Sequence, residues 1–242
     1  MNEELFHIIN NFESLGEDCF VGKRNKIKIF EYKGEVINIK SFKIPSGIKS
    51  FIYKYIRKSK ARRSFENASI LLEKGIGTPR PIAYYENSNW IGLKDSYYIC
   101  EHLNPDFLYT SLFRDSPGLD RDKLIRGMAK FSFQLHEKGI EFLDHSQGNS
   151  LVKVDENGEY HFFLVDLNRM KFHHDMPFQT RMYNMRKLGP EKEIADLIAN
   201  EYAKYYKLKS ETEIADALWE ETTKFYAFFK RKQALKKKLK LK

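Results

Sequence analysis

The stretch GIEFLDHSQGNSLVKVDENGEYHFFLVDLNRM, residues 139–170, sets three oxygen-bearing side chains, Asp144, Asn149 and Asp166, around two apolar runs. Residues 150–154 and 160–165 read as strands, and Asp155-Glu156-Asn157-Gly158 between them reads as a turn, so the segment is a β-hairpin. A hairpin returns its ends to one place, which allows Asp144, Asn149 and Asp166 to converge. Two carboxylates and an amide oxygen are hard-cation ligands of the kind that hold Mg²⁺ together with substrate phosphates. The Asp-x4-Asn spacing alone says little, because about one is expected by chance in a chain of this size. The order of elements says more. Leu135-His136-Glu137-Lys138-Gly139 ahead of Asp144 is a helix end with a glycine stop. Asp166 alone also fits an ordinary turn residue after a strand.

Working outward, Asp120 caps a helix that runs through His136, with Leu124, Met128, Phe131 and Leu135 on one face. After Phe172 the pattern is helical over 180–188, 190–206 and 211–241, with Gly189-Pro190 as punctuation. Upstream, residues 4–15 suit a short helix, and residues 19–22, 26–32 and 35–42 read as strands. Lys33-Gly34 joins the last two as a hairpin turn. Lys40 lies inside the third strand, with Lys43 as its near competitor. Residues 48–55 hold three aromatics, and residues 57–63 hold five Lys/Arg. Phe65, Ala68, Ile70, Leu71 and Leu72 then form an approximate helix face that Gly75 ends, with Glu66 early in that helix. Pro79 and Pro81 keep residues 78–81 extended. Two more strands, 82–85 and 97–100, flank a turn at 87–89, and residues 101–105 break the pattern. Strands with one large helix, followed by a mostly helical half, predict an α+β chain of two lobes with a cleft, residues 1–103 and 104–242.

Composition limits the partners. The net charge of +9 suggests an anionic partner, but residues 230–242 alone carry eight Lys/Arg and no acid. The body is therefore close to neutral, and no nucleic-acid footprint is expected. The aromatic part of the last helix is expected to pack on the helical lobe. The tail beyond it intersperses Leu235, Leu239 and Leu241 with lysines, which suits an anionic membrane surface as well as a solvated tail. Cys19 and Cys100 are far apart and make no CxxC, which argues against a disulfide framework or Cys-based zinc site and fits a reducing compartment. The acidic start Met1-Asn2-Glu3-Glu4 lacks a signal-peptide pattern, and no apolar run approaches spanning length, so a cytoplasmic protein is expected.

A strand lysine, a helix glutamate, a lobe switch, Asp-x4-Asn and a final Asp follow the order of the protein-kinase-like fold. The chain most resembles the lipopolysaccharide kinase (Kdo/WaaP) family. The resemblance rests on VINIKSFK (36–43), KARRSFENA (60–68), GTPRPIAYYE (77–86), SYYICEHL (96–103), FLDHSQGNSLV (142–152) and FLVDLNRMKF (163–172). It implies a bilobal fold with an N-terminal antiparallel sheet plus one large helix as the nucleotide-binding lobe, and a mainly helical catalytic lobe. It also implies roles. Lys40 would lie on the nucleotide phosphates and pair with Glu66. Residues 101–103, Glu101 and Leu103 among them, would contact adenine by backbone groups. Asp144 would orient the acceptor hydroxyl and accept its proton, and Asn149 and Asp166 would hold Mg²⁺. The implied activity is ATP- and Mg²⁺-dependent phosphorylation of Kdo or heptose in the lipopolysaccharide inner core, carried on a lipid A precursor at the inner face of the cytoplasmic membrane.

Plainer roles compete at each position. Lys40 also suits a solvated edge strand, and Glu66 also suits pairing with Arg62 or Arg63 one helical turn away. Several family features of protein kinases are missing. Phe142-Leu143 stand where His-Arg would precede the Asp, and Asp166-Leu167-Asn168 replaces the DFG tripeptide. Gly22 is the sole glycine where a Gly-rich loop would cover the nucleotide. These departures favour a small-molecule kinase over a protein kinase. They leave open an aminoglycoside-type phosphotransferase and a pseudokinase-like module that binds lipid or a partner. The sequence has no G-x4-G-K-[ST] and no G-x-S-x-G. His173-His174 face different ways on a regular element and read as a surface pair.

Overall fold

The computed structural model describes residues 3–21, 25–42, 47–114 and 116–238. Gly22, Lys43 and the tail end with Leu239 and Leu241 lie outside the described residues. By packing, the chain divides into two units, Met1–Asn104 with Leu164–Arg169, and Pro105–Phe163 with Met170–Lys242. The sequence expectation had a boundary after residue 103 and residues 164–169 in the second lobe.

The first unit is built on alternation. α1 (Glu3–Asn10) is followed by β1 (Glu17–Val21), β2 (Asn25–Tyr32) and β3 (Glu35–Phe42). Lys33 and Gly34, both at positive φ (52° and 76°), make the tight turn between β2 and β3. α2 (Ile48–Tyr55) and α3 (Lys60–Glu73) come next, then β4 (Pro81–Ser88) and β5 (Leu93–Glu101). The strands form one antiparallel sheet in the order β1-β2-β3-β5-β4. Successive side chains point to opposite faces. Ile37 and Ile39 of β3 and Ile99 of β5 turn to one face, which α1 covers through Leu5, Ile8 and Ile9 with Phe12. Each such fully buried isoleucine is worth about 1.5–3 kcal/mol. The other face carries Lys40, in register with Tyr98 and, one strand further, Tyr84. α3 lies on that face, with Phe65 against Tyr84 at 5.4 Å between ring centres. Ser59 caps α3 by accepting from the Arg62 N–H.

The second unit opens with β6 (Phe107–Leu108), a 3₁₀ turn and α4 (Arg121–Glu137), which Asp120 caps through the Lys123 N–H at 3.0 Å. Then come β7 (Ile140–Phe142), β8 (Ser150–Val154), β9 (Tyr160–Leu164) and β10 (Met170–Phe172). β8 and β9 are the expected hairpin, in a sheet ordered β6-β8-β9, while β7 pairs with β10. Gly139 stands at φ +70° and its would-be Cβ lies 2.0 Å from the His173 carbonyl oxygen, so only glycine fits between α4 and β7. α5 (Phe178–Met185), α6 (Lys192–Ala203) and α7 (Glu211–Lys238) complete the unit. α7 buries Ile214, Leu218 and Thr222, and from Ala227 onward it is exposed on all sides. Among the described residues no helix is long and apolar enough to cross a membrane.

Candidate active site

The candidate residues fall into two groups, one in each unit. In the first unit the Lys40 Nζ donates to Asp166 Oδ1 at 2.5 Å, and their side chains are only 13% and 33% exposed. The sheet places the lysine, and α3 places the aspartate. Asn67 of α3 donates to the Leu167 carbonyl at 2.6 Å, and Arg63 of α3 donates to the Asn168 carbonyl at 2.7 Å. Thr78 holds the near end of the segment through the Leu164 carbonyl at 2.8 Å. The Asn168 amide donates to Asp166 Oδ1 at 2.9 Å, so one carboxylate oxygen takes both donors. Asp166 sits at φ +60°, a left-handed backbone that costs a non-glycine residue about 1–3 kcal/mol and is kept where the surroundings impose it.

Glu66 is placed differently from the implied Lys40–Glu66 pair. It accepts from Lys58 at 2.8 Å and from Arg62 at 3.0 Å. Arg62 is one helical turn away on α3, so helical spacing supplies that partner, and Lys58 reaches Glu66 from the segment before the helix. Burial alone would raise the Glu66 carboxyl, but the hydrogen bonds from Lys58 and Arg62 outweigh it and hold it below its ordinary value. At the end of β5, Glu101 accepts from the Arg80 N–H at 2.9 Å, and its own N–H donates to the Arg80 carbonyl at 3.0 Å. The His102 N–H is taken by Val36 at 2.9 Å. Among the described residues the Leu103 N–H makes no backbone bond, so it is the amide of this stretch left for a ligand. Beside them Cys100 is buried, which pushes its thiol up to about 12 and makes it inert.

In the second unit Asp144 stands between two buried anchors. Phe142 is fully buried and its carbonyl accepts from Asn184 of α5 at 2.8 Å. The His145 ring bonds Ser132 of α4 at 2.9 Å through Nε2. Burial pushes the His145 imidazole down to about 3, so it is neutral, and the nearby Lys187 charge adds to the shift. Asn149 closes the loop, its amide donating to the Asp144 carbonyl at 2.8 Å and toward Ser146 Oγ at 3.4 Å. That anchoring leaves Asn149 Oδ1 as the group available to a cation. Lys187, just past α5, reaches back with Nζ 4.0 Å from Asp144 Oδ1 and 3.3 Å from the Leu143 carbonyl.

The structure thus joins Lys40 with Asp166, and Asp144 with Asn149. Neither Lys187 nor Asn168 is among the site residues expected from the sequence. Lys187 lies 43 residues beyond Asp144, and no spacing rule points to it. Asn168 could have been found as the third residue of the tripeptide that begins at Asp166. His173 bonds Glu141 at 2.7 Å, and no group of three or more His, Cys, Asp or Glu among the described residues could hold a metal by itself. The Asp166 carboxylate in the first unit and the Asn149 amide oxygen in the second are each hard oxygen donors of the type Mg²⁺ takes.

No family model and no curated protein matches the chain in sequence. Among solved structures it is similar to WaaP in complex with acyl carrier protein, at 17% identity and a TM-score of 0.59, over 93% of this chain and 98% of that one. The fold is therefore the kinase-like α+β fold of WaaP, with an N-terminal antiparallel sheet and a helical C-terminal part. Because 1553 solved chains match in structure, the fold does not choose the substrate.

Proposed function

We propose that this chain is an ATP- and Mg²⁺-dependent phosphotransferase acting on a sugar hydroxyl, Kdo or heptose of the lipopolysaccharide inner core on a lipid A precursor. The observation behind the reading is the Lys40–Asp166 pair, held on a kinase-like sheet by α3, together with an Asp144–Asn149 loop clasped by buried neighbours. Phosphoryl transfer asks for positioning and for cancellation of charge on the γ-phosphate more than for covalent chemistry. Lys40 supplies a fixed positive charge for the nucleotide phosphates. Leu103 offers its N–H to the adenine edge, and Glu101 keeps that stretch tied to Arg80. Asp166 and Asn149 would hold Mg²⁺, which neutralises phosphate charge when bound. Asp144 aligns the acceptor hydroxyl and takes its proton. Lys187 holds the Asp144 carboxylate in place from one side. Under this reading residues 1–103 are the nucleotide-binding part and residues 104–242 the catalytic part, working at the inner face of the cytoplasmic membrane.

The test is an acceptor panel. Purified full chain with Mg-ATP should phosphorylate Kdo-lipid A or its heptosylated form, and should leave aminoglycosides and protein acceptors unmodified. Transfer to one of the latter instead would move the reading to another small-molecule or protein kinase. ATP binding with no transfer to any acceptor would favour a binding module. WaaP was solved with acyl carrier protein, so that protein joins the panel as a partner to assay.

A further inference from the structure

α2 turns its apolar face outward. Ile48, Phe51 and Tyr55 follow the i, i+3, i+7 spacing of one helix face, yet the helix buries no residue at all. The turn between β4 and β5 stands beside it and adds Trp90 and Ile91, while Ile56 follows the helix. These six large apolar side chains are each between 50% and 81% exposed. A soluble surface seldom leaves a contiguous apolar patch of this kind without a use.

The patch is also held rigidly. Ser50 Oγ donates to the Leu93 carbonyl at 2.5 Å, Lys54 Nζ to the Asn89 carbonyl at 2.5 Å, and the Tyr55 hydroxyl to the Trp90 carbonyl at 2.7 Å. A Cβ on Gly92 would lie 2.4 Å from Ser50 Oγ and 2.7 Å from the Ser50 carbonyl carbon, so helix and turn touch backbone to backbone. The Phe51 and Tyr55 rings meet at 4.7 Å between centres, their planes tilted by 42°. Inward, α2 offers only the half-buried Ile52 and Tyr53.

Charge selects the occupant. Residues 47–65 hold seven Lys/Arg and no acid, and Lys94 borders the turn. The basic residues on and just after α2 are Lys49, Lys54, Arg57 and Lys58, the last paired with Glu66. Lysine is a point charge on a flexible stem, suited to a diffuse anionic surface, whereas arginine serves bidentate recognition of a defined carboxylate. Two copies of the patch would bring like-charged rims together, which disfavours self-association. Exposed Trp and Tyr with flanking lysines match the headgroup level of a bilayer, where rings enter the boundary and ammonium groups stay with the phosphates. We propose that α2 and the β4–β5 turn form a docking surface for an anionic lipid bilayer. It stands on the surface alone and needs no phosphotransfer.

The chain has two tryptophans, so Trp219→Phe makes Trp90 the only indole. This full-length variant is titrated with phosphatidylcholine vesicles with and without phosphatidylglycerol, in the absence of ATP and acceptor. With phosphatidylglycerol present, Trp90 emission should shift to the blue and be quenched by brominated acyl chains, and added salt should reverse the effect. Phe51→Ser with Ile91→Ser should weaken vesicle partitioning about tenfold or more while leaving the thermal melt unchanged, since both side chains are exposed. Trp90 emission indifferent to anionic vesicles overturns the proposal, even if the protein binds them through its tail. Equal partitioning of the double variant also overturns it. Dimerisation that the double variant abolishes, without lipid quenching, would assign the patch to a second copy instead.

Discussion

Acidification should destabilise the second unit through two buried imidazoles. His136 and His145 are both buried, and burial pushes each from an ordinary 6.5 down to about 3. For His136 the Asn184 hydrogen bond opposes the shift without cancelling it, while the Arg181 charge, and that of His145 once it too is protonated, add to it. Between these values the unfolded chain binds protons that the folded chain refuses. The stabilising contribution is whole above about 6.5 and is lost progressively as pH falls toward about 3. For one ring the linkage relation yields a loss of about 2 kcal/mol between pH about 7 and about 5, and about 4 kcal/mol for both. That is a large part of the about 5–15 kcal/mol that holds a typical domain. His145 Nδ1 has no hydrogen-bond partner among the described residues, so a proton there would be buried without an acceptor. Other groups titrate too, and a variant separates them. His145→Gln keeps a polar group opposite Ser132 but cannot charge, so its loss over the same interval should be about 2 kcal/mol smaller than that of the wild type. Urea denaturation followed by circular dichroism at both pH values measures this. A variant that loses as much stability as the wild type would refute the reasoning.

Lys40→Ala should lower turnover on the order of 10²-fold or more by removing a fixed charge from the phosphates, and should do so more than Lys43→Ala does. Glu66→Gln, by contrast, touches only Lys58 and Arg62 and should change stability by about 1 kcal/mol or less, with turnover retained; steady-state rates and nucleotide titrations of the three variants decide this. Lys187→Ala should reduce kcat on the order of tenfold with little change in the urea midpoint, and unchanged kcat would make Lys187 a clasp on the Leu143 carbonyl only. Deleting residues 230–242 removes eight cations worth about 1 kcal/mol each near an anionic leaflet before screening. Salt-sensitive vesicle sedimentation should fall, and activity on the lipid-linked acceptor should drop with soluble-acceptor activity spared.

What could be read from the sequence follows the strength of local periodicity. The alternation around Ile37 and Ile39 announced β3, and the glycine-bearing turn at 155–158 announced the β8–β9 hairpin, because both signals lie within a few residues. The Asp120 cap and the Gly139 stop bounded α4 to within a residue. β6, β7 and β10 were not anticipated, since strands of two or three residues hold no period. β4 and β5 proved longer than 82–85 and 97–100 because pairing recruits Glu86 and Asp95, residues of weak strand preference. At the candidate site, Asp144, Asn149 and Asp166 were legible as residue types at suggestive spacing. Which groups face each other was not, since Lys187 approaches Asp144 only through the packing of α5. Glu66 shows the opposite error. Its place in chain order suggested Lys40, whereas Arg62 one turn earlier had the shorter reach. α2 read as a basic aromatic stretch, and only its packing shows that the apolar face looks outward.

The central claim is tested most directly by the rate at which purified wild-type protein and Asp144→Asn move phosphate from ATP to Kdo-lipid A. Wild type should transfer with dependence on Mg²⁺. The variant should keep its fold and its nucleotide affinity while losing on the order of 10²–10⁴-fold in rate, the usual contribution of a positioned general base. Transfer by the variant at the wild-type rate would contradict the assignment of Asp144 and, with it, the phosphotransfer site.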